Sequence, residues 1–87
     1  RGHAKITTSK FNQLLKDIVA RHLPGRIRGR PIKILYGTQV RGFPPTFILF
    51  SNAPEAIKPA YRRFLEARLR DALNLEGLPV RFVFKRK

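Results

Sequence analysis

The sequence contains no cysteine, no methionine and no tryptophan, and its acidic residues number only five. Without cysteine there is no disulfide framework, no thiolate metal centre and no cysteine nucleophile. A small domain that does without disulfides fits a reducing compartment, so the expected location is cytoplasmic. A chain that begins with Arg1 and has no methionine reads as a piece of a longer protein. No apolar run approaches the roughly 20 residues that cross a bilayer, and the N-terminus lacks the apolar core of a signal peptide. No membrane partner is expected.

Scarcity also limits the chemistry. His3 and His22 are the only imidazoles and fall on different predicted elements, so no metal cluster is expected. Asp17, Glu66 and Asp71 lie on predicted helices beside basic neighbours, with Glu66 expected to pair with Arg62, Arg63 or Arg70. No two carboxylates stand at a spacing that makes an acid/base couple. Ser9 and Ser51 carry no signature of an activated nucleophile. These 87 residues are expected to hold no catalytic residue, metal or cofactor of their own.

What the chain has in excess is positive charge. Nineteen lysines and arginines leave a net +14. A small domain so charged repels itself and calls for a polyanionic partner, most often nucleic acid. The basic residues are scattered along the chain, whereas a membrane-surface helix would gather them on one face. Aliphatic and aromatic residues make up 43% of the sequence, enough for a folded core.

Residues 1–7 have no periodicity and read as the tail of an upstream linker, with the domain spanning 8–87. Thr8 or Ser9 is positioned to cap a first helix, whose Phe11, Leu14, Leu15, Ile18 and Val19 form an apolar stripe. Leu23-Pro24-Gly25 ends it. Residues 24–31 read as a basic loop carrying Arg26, Arg28 and Arg30. A strand over 32–41 follows, with Ile32, Ile34, Tyr36, Thr38 and Val40 on the expected core face. Gly42-Phe43-Pro44-Pro45 makes a turn, and Thr46–Asn52 is a strand apolar on both faces. A short turn precedes a second helix from Pro59 to about Asn74, with Tyr61, Phe64, Leu65, Leu69, Ala72 and Leu73 facing the core. Arg62, Arg63, Glu66 and Arg70 are expected towards solvent. In the last strand Val80, Phe82 and Phe84 alternate with Arg81, Val83 and Lys85.

The order α-β-β-α-β predicts an α+β two-layer sandwich, with two helices on one face of a three-stranded mixed sheet. The opposite sheet face is expected to carry Lys33, Leu35, Gln39, Arg41, Arg81, Val83 and Lys85. Basic with an apolar middle, such a face suits docking.

Two motifs invite a test. Gly37 and Gly42 stand at the glycine spacing of a phosphate-binding P-loop, but Phe43 and Pro44 occupy the places of its Lys and hydroxyl residue. The spacing is accidental. No GxxG occurs, so the backbone clamp of an RNA-binding KH domain is absent, and so is the aromatic signature of an RRM.

The stretches "IKILYGTQVRGFPPTFILFSN", "YRRFLEARLRDAL" and "EGLPVRFVF" carry a wider resemblance. With Thr38-Gln39, Pro44-Pro45-Thr46-Phe47, Asn52, Tyr61-Arg62-Arg63 and Gly77-x-Pro79, the chain resembles the C-terminal KH-like domain of the Der (EngA) family. These are bacterial ribosome-assembly GTPases with tandem GTPase domains. The resemblance implies a non-catalytic module that packs on the GTPase domains of its own chain and helps engage the large ribosomal subunit and its rRNA. It implies GTP and magnesium bound upstream. It also places Ala56-Ile57-Lys58-Pro59 where a KH loop would lie. The expected phosphate contacts are Arg26, Arg28, Arg30, Arg62, Arg63, Lys85, Arg86 and Lys87, and a monomer is expected. Two other readings stay open at this point: an autonomous KH-type or ribosomal RNA-binding protein, and an interaction domain without RNA contact.

Overall fold

Helix α1 (Thr8–Arg21) forms on the Phe11–Val19 stripe, and its ladder begins earlier than the sequence suggests. Thr7 is the cap: its carbonyl already accepts the Phe11 N–H at 3.0 Å and its Oγ1 accepts the Lys10 N–H at 3.1 Å. Thr8 and Ser9 therefore sit inside the helix rather than at its cap. The computed structural model describes residues 6–87. The linker expected over residues 1–7, and His3 with it, falls mostly outside the described residues; Ile6 packs against the core.

After α1, the expected basic loop is instead a short antiparallel ribbon, β1 (Arg26–Ile27) and β2 (Arg30–Pro31). Arg28 and Gly29 connect them with φ of 51° and 78°, the paired positive values that a type I′ connection requires. The Ile32 N–H bonds the Gly25 carbonyl at 2.8 Å and closes the base. Ile32 is buried there and does not belong to the following strand.

The main sheet has the order β3 (Ile34–Val40), β4 (Thr46–Ser51), β5 (Arg81–Arg86), antiparallel and then parallel. A 3₁₀ turn (Pro54–Ala56) and helix α2 (Pro59–Ala72) carry the chain from β4 across to β5. Phe11 and Leu15 of α1, Leu65 and Leu69 of α2, and Phe47 and Leu49 of β4 form one core with Val80. Both helices thus cover one face of a three-stranded mixed sheet, the expected α+β architecture. Leu49, Leu65 and Leu69 are fully buried, each contributing about 2 kcal/mol by removal of apolar area from water. Phe11 stacks on Phe47 at 4.8 Å, and Phe47 on Phe82 at 5.7 Å. Ala72, expected in the core, is exposed at the last turn of α2.

One sequence expectation fails along most of a strand. The β3–β4 ladder shifts between Ile34 and Tyr36, leaving Leu35 as the extra residue of a bulge. Ile34 stays opposite Ser51 on the helix side, but Tyr36, Thr38 and Val40 face Phe50, Ile48 and Thr46 on the open side. Gly37 turns inward instead, under the Phe11 ring. The reason is steric. α1 lies so close to β3 that a Cβ at Gly37 would sit 2.5 Å from Phe11 Cε2 and 2.8 Å from Leu49 Cδ2. Only glycine fits beneath α1, and the bulge brings it there.

Candidate nucleic-acid interface

Two basic segments, the ribbon and the end of β5, meet at one end of the domain, joined by Asn52. Its side-chain Oδ1 accepts the Lys33 N–H at 2.8 Å, and its Nδ2 donates to the Pro31 carbonyl at 3.2 Å, which fixes the base of the ribbon. Its own carbonyl accepts from Arg86 Nη1 at 2.7 Å, which ties the end of β5 to the same point. The Lys87 N–H continues the ladder to the Ser51 carbonyl at 3.1 Å, and Lys87 Nζ lies 5.4 Å from the Tyr36 ring centre. Ribbon and C-terminal strand therefore present their cations from one end.

The eight basic residues expected to meet phosphate divide into two groups. Arg28, Arg30, Arg63, Lys85 and Lys87 are exposed. Arg26 is exposed too, and donates from Nη2 to the Gly29 carbonyl across the turn. Arg62 is different: its Nη2 donates to the Pro54 carbonyl at 2.6 Å, its Nε to the Ile57 carbonyl at 3.4 Å, and it lies over Phe84. Arg86 pairs with Glu55 at 2.6 Å as well as with Asn52. Both arginines hold the 52–57 segment in place, so their first role is structural. Arg70 likewise donates to the Leu78 and Val80 carbonyls, at 3.0 and 3.1 Å. The expected pairing of Glu66 with its helix neighbours does not form; backbone carbonyls take two of those guanidinium groups instead.

Arg62→Ala should therefore lower stability by about 1–2 kcal/mol, because charged hydrogen bonds to half-buried carbonyls are lost. Arg63→Ala, on the exposed side of the same turn, should stay within about 0.5 kcal/mol of the parent. Urea unfolding of the pair checks this. Equal losses would contradict the division of roles.

The open sheet face differs from its expected composition. Arg81 and Val83 lie on it with Lys85, opposite Thr46, Ile48 and Phe50 of β4. Lys33 precedes β3, Leu35 sits at the bulge, Gln39 pairs with Phe47 on the helix side, and Arg41 lies in the turn. The strand residues that replace them are Tyr36, Thr38 and Val40. Tyr36 and Phe50 pack at 4.9 Å, with Ile48 and Val83 beside them. The double-sided apolar pattern of β4 was the signal for this second apolar face; the bulge, which decides its partners, left no trace in the alternation.

No phosphate cradle is present at the P-loop spacing. Gly37 is mid-strand under α1, and Gly42 lies in a strand–strand turn rather than a strand–helix loop. At the position matching a KH loop, Ile57 is buried and Pro59 starts α2, so the backbone there is not laid open to a ligand.

Two titrations follow from local contacts. Glu55 is held below its ordinary value by hydrogen bonding at its own backbone and then by Arg86. What it adds to stability is present above the ordinary carboxylate pKa and is lost as pH falls. Burial pushes the Tyr61 phenol up, and its hydroxyl donates to the His22 carbonyl at 2.7 Å, joining α1 to α2. Among the described residues, no three His, Asp or Glu side chains cluster as metal ligands, and no helix is long and apolar enough to cross a membrane.

Comparison of the sequence with known proteins identifies a family. The family model described as the KH-domain-like C-terminal domain of EngA bacterial GTPase enzymes covers residues 5–85. The GTPase Der of Moorella thermoacetica is 39% identical over 85 residues, spanning 98% of this chain and 19% of that protein. The GTPase Der of Natranaerobius thermophilus is 44% identical over 84 residues, 95% of this chain and 19% of that protein. That of Gloeobacter violaceus is 43% identical over 84 residues, 95% of this chain and 18% of that protein. The chain thus spans under a fifth of the curated relatives it matches, and it belongs to the family of KH-domain-like C-terminal domains of EngA (Der) GTPases.

Proposed function

We propose that this chain is the non-catalytic KH-like module of a ribosome-assembly GTPase, contacting rRNA of the large subunit with its ribbon end and docking GTPase domains of its own chain with its open sheet face. The observation that carries this is the difference in chemistry between two adjoining surfaces. Arg28 and Arg30 stand exposed on the ribbon whose base Asn52 fixes, whereas Tyr36, Ile48, Phe50 and Val83 form an apolar patch on the sheet, with Lys87 at the border beside Tyr36. Phosphates are met by cations that keep their water until contact; a protein partner is met by apolar area that gains from losing it. GTP and magnesium belong, on this reading, to parts of the parent protein outside residues 1–87, and the protein works as a cytoplasmic monomer.

The test is removal of residues 8–87 from the full-length protein, followed by sedimentation with large ribosomal subunits in the presence and absence of GTP. The expected result is a loss of subunit binding, largest at low salt, where phosphate contacts contribute most. Undiminished binding after deletion would overturn the RNA-contact reading.

A further inference from the structure

We infer that the β1–β2 ribbon enters the groove of a helical RNA, with one arginine meeting phosphate on each side and a third at the tip. This deepens the RNA-contact reading above and rests on it. Register supplies the first argument. Arg26 stands opposite Pro31, and Ile27 opposite Arg30, so Arg26 and Arg30 are on different strands and are not cross-strand partners. Side chains alternate between the faces of a ribbon, which places these two arginines on opposite faces. Arg28 lies between them at the turn. A single strand laid across the domain would meet one face alone. A groove walled by two phosphate backbones meets both, and a groove as wide as the major groove of B-form DNA admits a two-stranded ribbon.

The second argument is preorganisation. Arg28 holds φ at 51°, a left-handed value that side chains other than Gly, Asn and Asp seldom take. An arginine kept there, at an exposed tip, points to a use for its side chain rather than to the needs of the turn. The ribbon is also fixed at its base by Ile32 to Gly25 and by both polar atoms of Asn52, so it reaches a ligand already shaped. The third argument is what surrounds it. No acidic residue occurs between Asp17 and Glu55, and Glu55 is taken by Arg86. No Phe, Tyr or Trp occurs between Phe11 and Tyr36, so the ribbon offers no platform on which unpaired bases would stack. Charge on two faces without stacking is the chemistry of helical phosphate recognition. A bulge that widens the narrow major groove of A-form RNA would give the ribbon entry.

The experiment uses the full-length protein and two probes, an RNA stem-loop with a bulge and an unstructured single-stranded RNA of the same length. The parent is compared with a protein carrying Arg26→Gln, Arg28→Gln and Arg30→Gln together, and with one carrying Lys85→Gln and Lys87→Gln. Circular dichroism of the triple variant confirms that the core, which the ribbon does not enter, is intact. The parent should prefer the stem-loop. The triple variant should lose roughly tenfold or more on that probe, with a salt dependence shallower by about 2 in log K per log salt, and should lose its preference between probes. A parent without preference, or a triple variant that matches the parent while the lysine variant weakens, overturns the groove inference and leaves the RNA-contact reading standing. Failure of the parent to bind either probe at low salt overturns both.

Discussion

Replacing Gly37 with alanine is expected to cost about 3 kcal/mol of stability, at the upper end of what overpacking does to a well-filled core. The added methyl would meet Phe11 Cε2 at 2.5 Å, Leu49 Cδ2 at 2.8 Å and the Ile48 carbonyl at 3.1 Å. None of the three can retreat. Phe11 is stacked on Phe47, Leu49 is fully buried, and the carbonyl belongs to the central strand. Gly42 makes the informative control: it has φ of 122° but nothing within 4 Å of a built Cβ. Gly42→Ala should therefore cost only the conformational term, about 1 kcal/mol. Denaturant unfolding of the two variants separates space from backbone freedom. Equal losses would mean that α1 does not lie against β3 as described.

The second large effect belongs to Asn12, which serves the same glycine. β3 is an edge strand, and at Gly37 its free N–H and C=O point away from β4. The Asn12 Oδ1 accepts that N–H at 2.7 Å, and its Nδ2 donates to that carbonyl at 3.0 Å. One carboxamide thus takes the place of a neighbouring strand. Asn12→Ala should cost about 2 kcal/mol, since two half-buried backbone groups lose their partner. Asn12→Asp should be no better at neutral pH, because a carboxylate accepts but cannot donate to the carbonyl. Relative to the parent it should recover as pH falls through the carboxylate range, when the protonated acid can do both. Unfolding curves at neutral and mildly acidic pH check this. An Asp variant that matches the parent at neutral pH would contradict the two-bond arrangement.

These two residues also mark where sequence reading stops. Helix stripes, the turn at Pro44-Pro45 and the Val80-Phe82-Phe84 alternation all place their elements, because helix and strand periods are local. The β3 register was not legible. Ile32 through Val40 alternates cleanly, and the bulge at Leu35 that reverses the faces answers to α1, far away in sequence. Gly37, whose P-loop spacing with Gly42 is accidental, is a packing site for a helix. The basic loop was legible in charge but not in shape, since Arg28 is not a residue expected at a left-handed turn position. Arg62 and Arg86 looked like their exposed neighbours; their use depends on carbonyls and a carboxylate brought near by tertiary structure. Family membership came through because scattered markers such as Asn52 and Gly77-x-Pro79 act together. Asn52 proves to be the residue that joins ribbon, central strand and C-terminal strand.

The central claim is that the ribbon end faces rRNA while the open sheet face is covered by the parent protein. Arginine-selective chemical labelling of the full-length protein, read by mass spectrometry with and without large subunits, addresses both surfaces at once. Arg28 and Arg30 report on the ribbon, and Arg81 on the open face. The account predicts that Arg81 is already protected in the protein alone, and that Arg28 and Arg30 become protected only when subunits are added. Subunit-dependent protection of Arg81, with Arg28 and Arg30 still reactive, would contradict it.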